Sequence, residues 1–139
     1  EYFLTVALDN MINEGKVFKI ATVDEWLDCG TLPAWLETTG EIVAKENHPY
    51  DEKNYSATKI IPPVFIADGV IIDGSVIGPN VSIEAGAHIV NSRIKNTIIR
   101  ENATLKHVET SGSTIGAHTV LTNVKGKVDV GDHSEITIL

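Results

Sequence analysis

Asp28 is the one acidic side chain whose setting suggests chemistry. It lies in Trp26-Leu27-Asp28-Cys29-Gly30-Thr31, a loop between an expected strand and an expected helix. Open α/β sheets gather ligands at the carboxyl ends of their strands. A carboxylate there can bind Mg²⁺, and the helix N-terminus that follows suits an anion. The competing reading is plainer, because an Asp beside a Gly commonly closes a turn. Histidines offer a second chemistry. His88, His118 and His133 each take the last or fourth place of a six-residue unit. Histidine can serve as a general base. The alternative is a solvated corner residue: the three look equivalent, and no acidic partner is uniquely placed to orient one. His48 and His107 suggest no metal cluster. Asn80, Asn91, Asn96, Asn102 and Asn123 are read as turn formers.

The elements that must position these groups fall into two halves. Leu4, Ala7, Leu8, Met11 and Ile12 recur at helical spacing, and Gly15 is a fitting terminator. Lys16 to Val23 is expected to be a strand, on the β-branched and aromatic content of Val17, Phe18, Ile20 and Val23. Thr31 can cap a second helix, with Pro33 in its first turn. Trp35, Leu36, Thr39, Ile42 and Val43 would share its apolar face. Residues 47–59 are polar and read as a linker.

From about residue 60 the chain repeats in sixes. Ile77-Gly78-Pro79-Asn80-Val81-Ser82 is followed by Ile83-Glu84-Ala85-Gly86-Ala87-His88 and then by Ile89. The unit returns at Ile99, Ile115 and Val130. A six-residue period fits neither an α-helix nor a flat sheet; it is the period of a parallel β-helix. At about 18 residues per coil, roughly four coils are expected. The rhythm slips between Ile89 and Ile99 and again between Leu105 and Ile115, read either as loops or as variants of the unit.

Composition sets limits. The 139 residues carry a formal charge of −8, and no Lys/Arg cluster stands out along the sequence. A nucleic-acid ligand held by a basic patch is not expected. Cys29 is the only cysteine, which excludes an internal disulfide and fits a cytoplasmic setting. No apolar run approaches the length of a membrane span.

Glu1-Tyr2-Phe3-Leu4-Thr5 and Trp26-Leu27-Asp28-Cys29-Gly30-Thr31-Leu32-Pro33-Ala34-Trp35-Leu36-Glu37 together resemble the end of a sugar-1-phosphate nucleotidyltransferase domain. The likeness is greatest to glucose-1-phosphate thymidylyltransferases, with mannose-1-phosphate guanylyltransferases near neighbours. The resemblance implies a mainly β chain: a left-handed parallel β-helix over 60–139, preceded by a helix–strand–helix tail of the α/β catalytic domain over 1–46. It implies a nucleoside triphosphate and a sugar 1-phosphate as substrates, here expected to be dTTP and glucose 1-phosphate. It implies Mg²⁺ on Asp28, with Trp26, Glu1 and Thr5 on the sugar side. Val6 stands where the family commonly has Asp. The family's glycine-rich nucleotide loop has no match here, so catalysis is expected of a longer enzyme and not of this chain alone. The β-helix is expected to serve assembly into a homo-oligomer. A hexapeptide-repeat acyltransferase is the alternative.

Overall fold

The computed structural model describes residues 3–46, 50, 55 and 57–139. Of the expected linker, residues 47–49, 51–54 and 56 lie outside the described residues, His48 among them, as does Glu1.

Helix α1 spans Leu4–Asn13 and helix α2 spans Leu32–Lys45. Among the described residues twelve short strands follow. The first six are β1 (Lys59–Ile60), β2 (Val64–Ile66), β3 (Ile71–Asp73), β4 (Val76–Ile77), β5 (Val81–Ile83) and β6 (His88–Val90). The rest are β7 (Arg93–Ile99), β8 (Thr104–Lys106), β9 (Glu109–Ile115), β10 (Val120–Thr122), β11 (Asp129–Val130) and β12 (Glu135–Thr137). Every pairing between them is parallel. Each strand pairs with its equivalent one coil on, so the chain forms a solenoid with three faces.

Lys59, Val76, Arg93, Glu109 and Lys125 stack in one row, which marks five coils. The expectation of about four is thus corrected. Coil length is corrected too: the sequence offsets along that row run 17, 17, 16 and 16. On the third face the offsets run 17, 16, 16 and 15, from Ile71 through His88, Thr104 and Val120 to Glu135. The two slips in the six-residue rhythm are strands, not loops. Strands β7 and β9 run straight through a corner and join the first and second faces into one sheet.

The core is a set of stacked aliphatic columns. Ile72, Ile89, Leu105, Leu121 and Ile136 form one, and Ile66, Ile83, Ile99, Ile115 and Val130 another. The middle members are fully buried. Strict alternation puts every second residue inward, and the parallel register lays each over its equivalent. At one edge of the core a hydroxyl ladder replaces aliphatic packing. Ser75 Oγ accepts from Ser92 N–H (3.0 Å), and Ser92 Oγ accepts from Val108 N–H (3.0 Å). Each serine donates in turn to a carbonyl two residues back. The buried Ser92 and Val108 N–H groups would otherwise lack partners.

The corners need a left-handed backbone. All five expected turn-forming asparagines have positive φ, between 46° and 58°. Short polar side chains tolerate that region better than branched ones.

Helix α2 begins as expected. Thr31 is its N-cap, with Oγ1 accepting from Ala34 N–H (3.3 Å), and Pro33 lies in the first turn. The helix lies against β2, β5, β7 and β9 on the second face. Thr38 and Val43 are buried there, Trp35, Leu36 and Thr39 are half-buried, and Ile42 is exposed. At Gly40 an added Cβ would stand 3.8 Å from the Asn80 side chain, so helix and corner meet closely.

The expected strand over Lys16–Val23 does not form. That segment joins no ladder, with Val17 and Ile20 at 87% and 102% exposure. A strand exists through its ladder, and both sheets of the described residues belong to the solenoid. Helix α1 buries no residue. Among the described residues the first half is therefore two helices without the expected strand between them. No helix among the described residues is long and apolar enough to cross a membrane.

Candidate functional site

The Trp26–Thr31 loop is tied down at its centre. Asp28 Oδ1 accepts the Gly30 N–H (2.9 Å), which closes an Asx turn. The Asp28 carbonyl accepts from Thr38 Oγ1 (2.6 Å), in the second turn of α2. Thr38 is buried, so this bond fixes the loop to the packed helix. A second tether joins Lys45, near the end of α2, to Glu25 and, at 3.6 Å, to Glu41. Lys45 is raised above the ordinary lysine range, first by its bond to Glu25.

The geometry shows the turn reading of Asp28. Oδ1 closes the turn, and among the described residues Oδ2 makes no hydrogen bond. The exposed carboxylate faces outward with one oxygen open. That is the donor set for a single Mg²⁺ ligand, since Mg²⁺ keeps several waters and takes one or two carboxylates. Among the described residues no group of three or more His, Cys, Asp or Glu side chains could hold a metal ion. Any further ligand would come from another part of the molecule or from substrate.

The remaining sequence-derived site residues are not gathered around it by packing. Trp26 is 82% exposed and Thr5 stands on the exposed surface of α1. Glu1 lies outside the described residues. Cys29 is free and exposed.

The histidines separate into two kinds, which corrects their apparent equivalence. His118 and His133 occupy one left-handed corner column, each with positive φ. Their rings stack at 4.9 Å with planes 5° apart, in the open. These two hold the solvated corner positions that one reading of the sequence assigned them. His88 instead opens strand β6 and is half-buried. His107 sits in a different left-handed corner.

One charged constellation escaped sequence reasoning. Arg100 Nε donates to Glu84 Oε2 (2.8 Å), one coil below, and Arg100 Nη2 reaches Glu101 Oε2 (3.3 Å). The Glu101 N–H also points at Glu84 Oε2 (3.3 Å). Burial pushes the Glu84 carboxyl up, and its bond to Glu101 adds to this, against the pull of Arg100. Glu101 is lowered, first by that same bond to Glu84. Arg100 is raised, mainly by Glu84. Beside this network a cleft of about 280 Å³ opens between the start of α2 and the solenoid, lined by Leu32, Trp35, Arg100, Asp129 and Asp132 among others. The signal was present but divided, because Glu84 and Arg100 are a whole coil apart along the chain. Comparison with protein-family models, with curated proteins and with solved structures finds no match.

Proposed function

We propose that this chain is the C-terminal part of a sugar-1-phosphate nucleotidyltransferase, with a solenoid that winds left-handed and serves assembly. The observation that carries the reading is the Trp26–Thr31 element itself. Its Asp28 offers an open carboxylate oxygen, and its Thr31 caps the helix that lies along the solenoid. The reaction proposed is attack by the phosphate of glucose 1-phosphate on the α-phosphorus of dTTP, with pyrophosphate leaving. The guanylyltransferase variant differs in base and sugar. Mg²⁺, when bound, would neutralise charge developing on the phosphates. Asp28 would hold the ion through Oδ2, while Oδ1 and Thr38 keep the loop from turning away. Glu1, Thr5 and Trp26 would face the sugar.

The first half supports this reading from another side. Phe3, Leu4, Val6, Met11, Ile12, Val17, Phe18, Ile20, Val23 and Trp26 are all exposed within one short stretch of chain. So much apolar surface marks a region that packs against something else. In the proposal that surface is the catalytic sheet, against which residues 16–23 regain a ladder partner. The cytoplasm is the proposed setting, on the single free thiol, and a homo-oligomer the proposed state.

The test is pyrophosphate release from dTTP and glucose 1-phosphate by the enzyme that contains this chain behind its nucleotide loop. Asp28→Asn should lose most turnover while the unfolding midpoint stays within a degree or two, since the amide oxygen can still close the turn. Unchanged turnover refutes the metal assignment. The acyltransferase reading rests on the stacked His118 and His133. It requires acetyl-CoA binding that His118→Ala abolishes.

A further inference from the structure

The solenoid sorts its charge by face. Residues 58–139 contain seven Lys/Arg and eight Asp/Glu, close to balance. Four of the seven cations nevertheless line one groove of about 460 Å³ on the first face: Arg93, Lys95, Lys125 and Lys127. Among the described residues Glu109 is the one acid in its walls.

The register explains the convergence. Arg93, Glu109 and Lys125 form one outward row, with Glu109 the middle member. Lys95 and Ser111 form the neighbouring outward row, two residues along each strand, and Lys127 stands two residues beyond Lys125. The groove therefore holds two cation pairs, on coils three and five, about 10 Å apart at the usual strand spacing. Between them lies a coil that presents the Ser111 hydroxyl. The floor is Ile94, Thr110 and the bare backbone of Gly126. Lys127 spends part of its charge on Asp129 Oδ2 (3.1 Å). Among the described residues Arg93, Lys95 and Lys125 form no ion pair, and the Ser111 side chain makes no hydrogen bond.

The directly opposed pairs, Arg93 with Glu109 and Glu109 with Lys125, join opposite charges. Glu109 offsets only part of the charge of the four cations, so the groove stays net positive and an anion bound there relieves the remaining repulsion. The groove's size falls in the range of small-ligand sites. A long polyanion is disfavoured, because the whole chain carries −8 and the cations are confined to one short groove. We propose that this groove binds a small molecule with two adjacent phosphoryl groups, a diphosphate or nucleoside diphosphate, held between the two cation pairs, whose long side chains can close on it from either side. The proposal does not depend on the nucleotidyltransferase reading.

Calorimetric titration of the 139-residue chain with pyrophosphate, ADP and orthophosphate tests it. Pyrophosphate or ADP should bind about tenfold or more tighter than orthophosphate. If ADP is the tighter of the two, the apolar floor reads the nucleoside; if they are equal, the groove reads phosphate alone. The pair Arg93→Ala and Lys125→Ala should weaken binding about tenfold. Glu109→Gln should strengthen it a few-fold by removing the opposing charge, an effect opposite in sign to any loss of fold. Lys106→Ala, on the third face, should change nothing. The proposal is overturned if orthophosphate binds as well as pyrophosphate, if no heat appears at about 10 mM ligand, if Glu109→Gln weakens binding, or if nucleic acid binds and the small diphosphates do not.

Discussion

Leu105 stands at the centre of the solenoid, and Leu105→Ala measures what a core column contributes. The side chain is fully buried on β8, between Ile89 one coil below and Leu121 one coil above. Replacement removes three carbons, and at about 0.8 kcal/mol each the lost burial comes to about 2.4 kcal/mol. A coil held on both sides by parallel ladders cannot collapse fully onto the hole. The cavity left behind should therefore bring the total to about 3–5 kcal/mol. Ile71→Ala is the matched control. It lies on β3 of the same face but points outward at 58% exposure, so it should cost less than about 1 kcal/mol. Urea unfolding followed by circular dichroism reads both. With a slope near 2 kcal/mol per molar, the Leu105 variant's midpoint should fall by about 1.5–2.5 M and the control's by less than about 0.5 M. Equal shifts for the two variants, or a Leu105→Ala loss under about 1 kcal/mol, would refute the inward stacking.

Three further outcomes are expected. Ser92→Ala removes the acceptor of the Val108 N–H inside the core; it should cost about 1–3 kcal/mol and speed exchange of the Val108 amide. Gly116→Ala would set a Cβ 2.4 Å from the Asp132 nitrogen, so the fifth coil must shift, with about 1–3 kcal/mol lost and faster amide exchange in β11 and β12. The third outcome concerns pH, where two carboxylates act with opposite sign. Burial pushes Asp129 up, but the Lys127 ammonium and two bonds from Thr114 outweigh it and leave the group below the ordinary range. As pH falls, the unfolded chain takes that proton first, so the stability Asp129 contributes is lost on acidification through its lowered value. Glu84 is raised, so its native form holds a proton that the unfolded chain has released; its contribution is lost as pH rises above the ordinary carboxylate range. Melting curves against pH should show Asp129→Asn flattening the acid limb and Glu84→Gln flattening the limb above it.

Some of this was legible before folding. Ile77, Ile83, Ile89, Ile99 and Ile115 opened the repeating units in the sequence, and all five are fully buried. Thr31 and Pro33 announced the start of α2, because capping is a local matter. Coil length was misjudged because some corners are a residue short: inward positions run Ile89, Ile94, Ile99, five apart instead of six. The strand over Lys16–Val23 was misread because β-branched content reports fitness for a sheet, not the presence of one. The cationic groove could not be seen along the chain at all. Lys95 and Lys125 are two coils apart, and only the stacking of those coils brings them to one face. The Glu84–Arg100 bridge was hidden for the same reason.

The shortening of the coils bears on how such a chain can change over generations. Successive coils lose residues, from 17 to 15, yet every ladder stays parallel and every aliphatic column stays continuous. The coils differ in length at their bends, while the paired strands keep their register. A single deletion inside β8 would turn its inward leucine outward and reverse the alternation until the next bend. The same deletion at a left-handed corner would change only the path between two faces. Insertions and deletions should therefore accumulate at the three edges of the prism, while the faces, including the one that carries Arg93 and Lys125, keep their pattern.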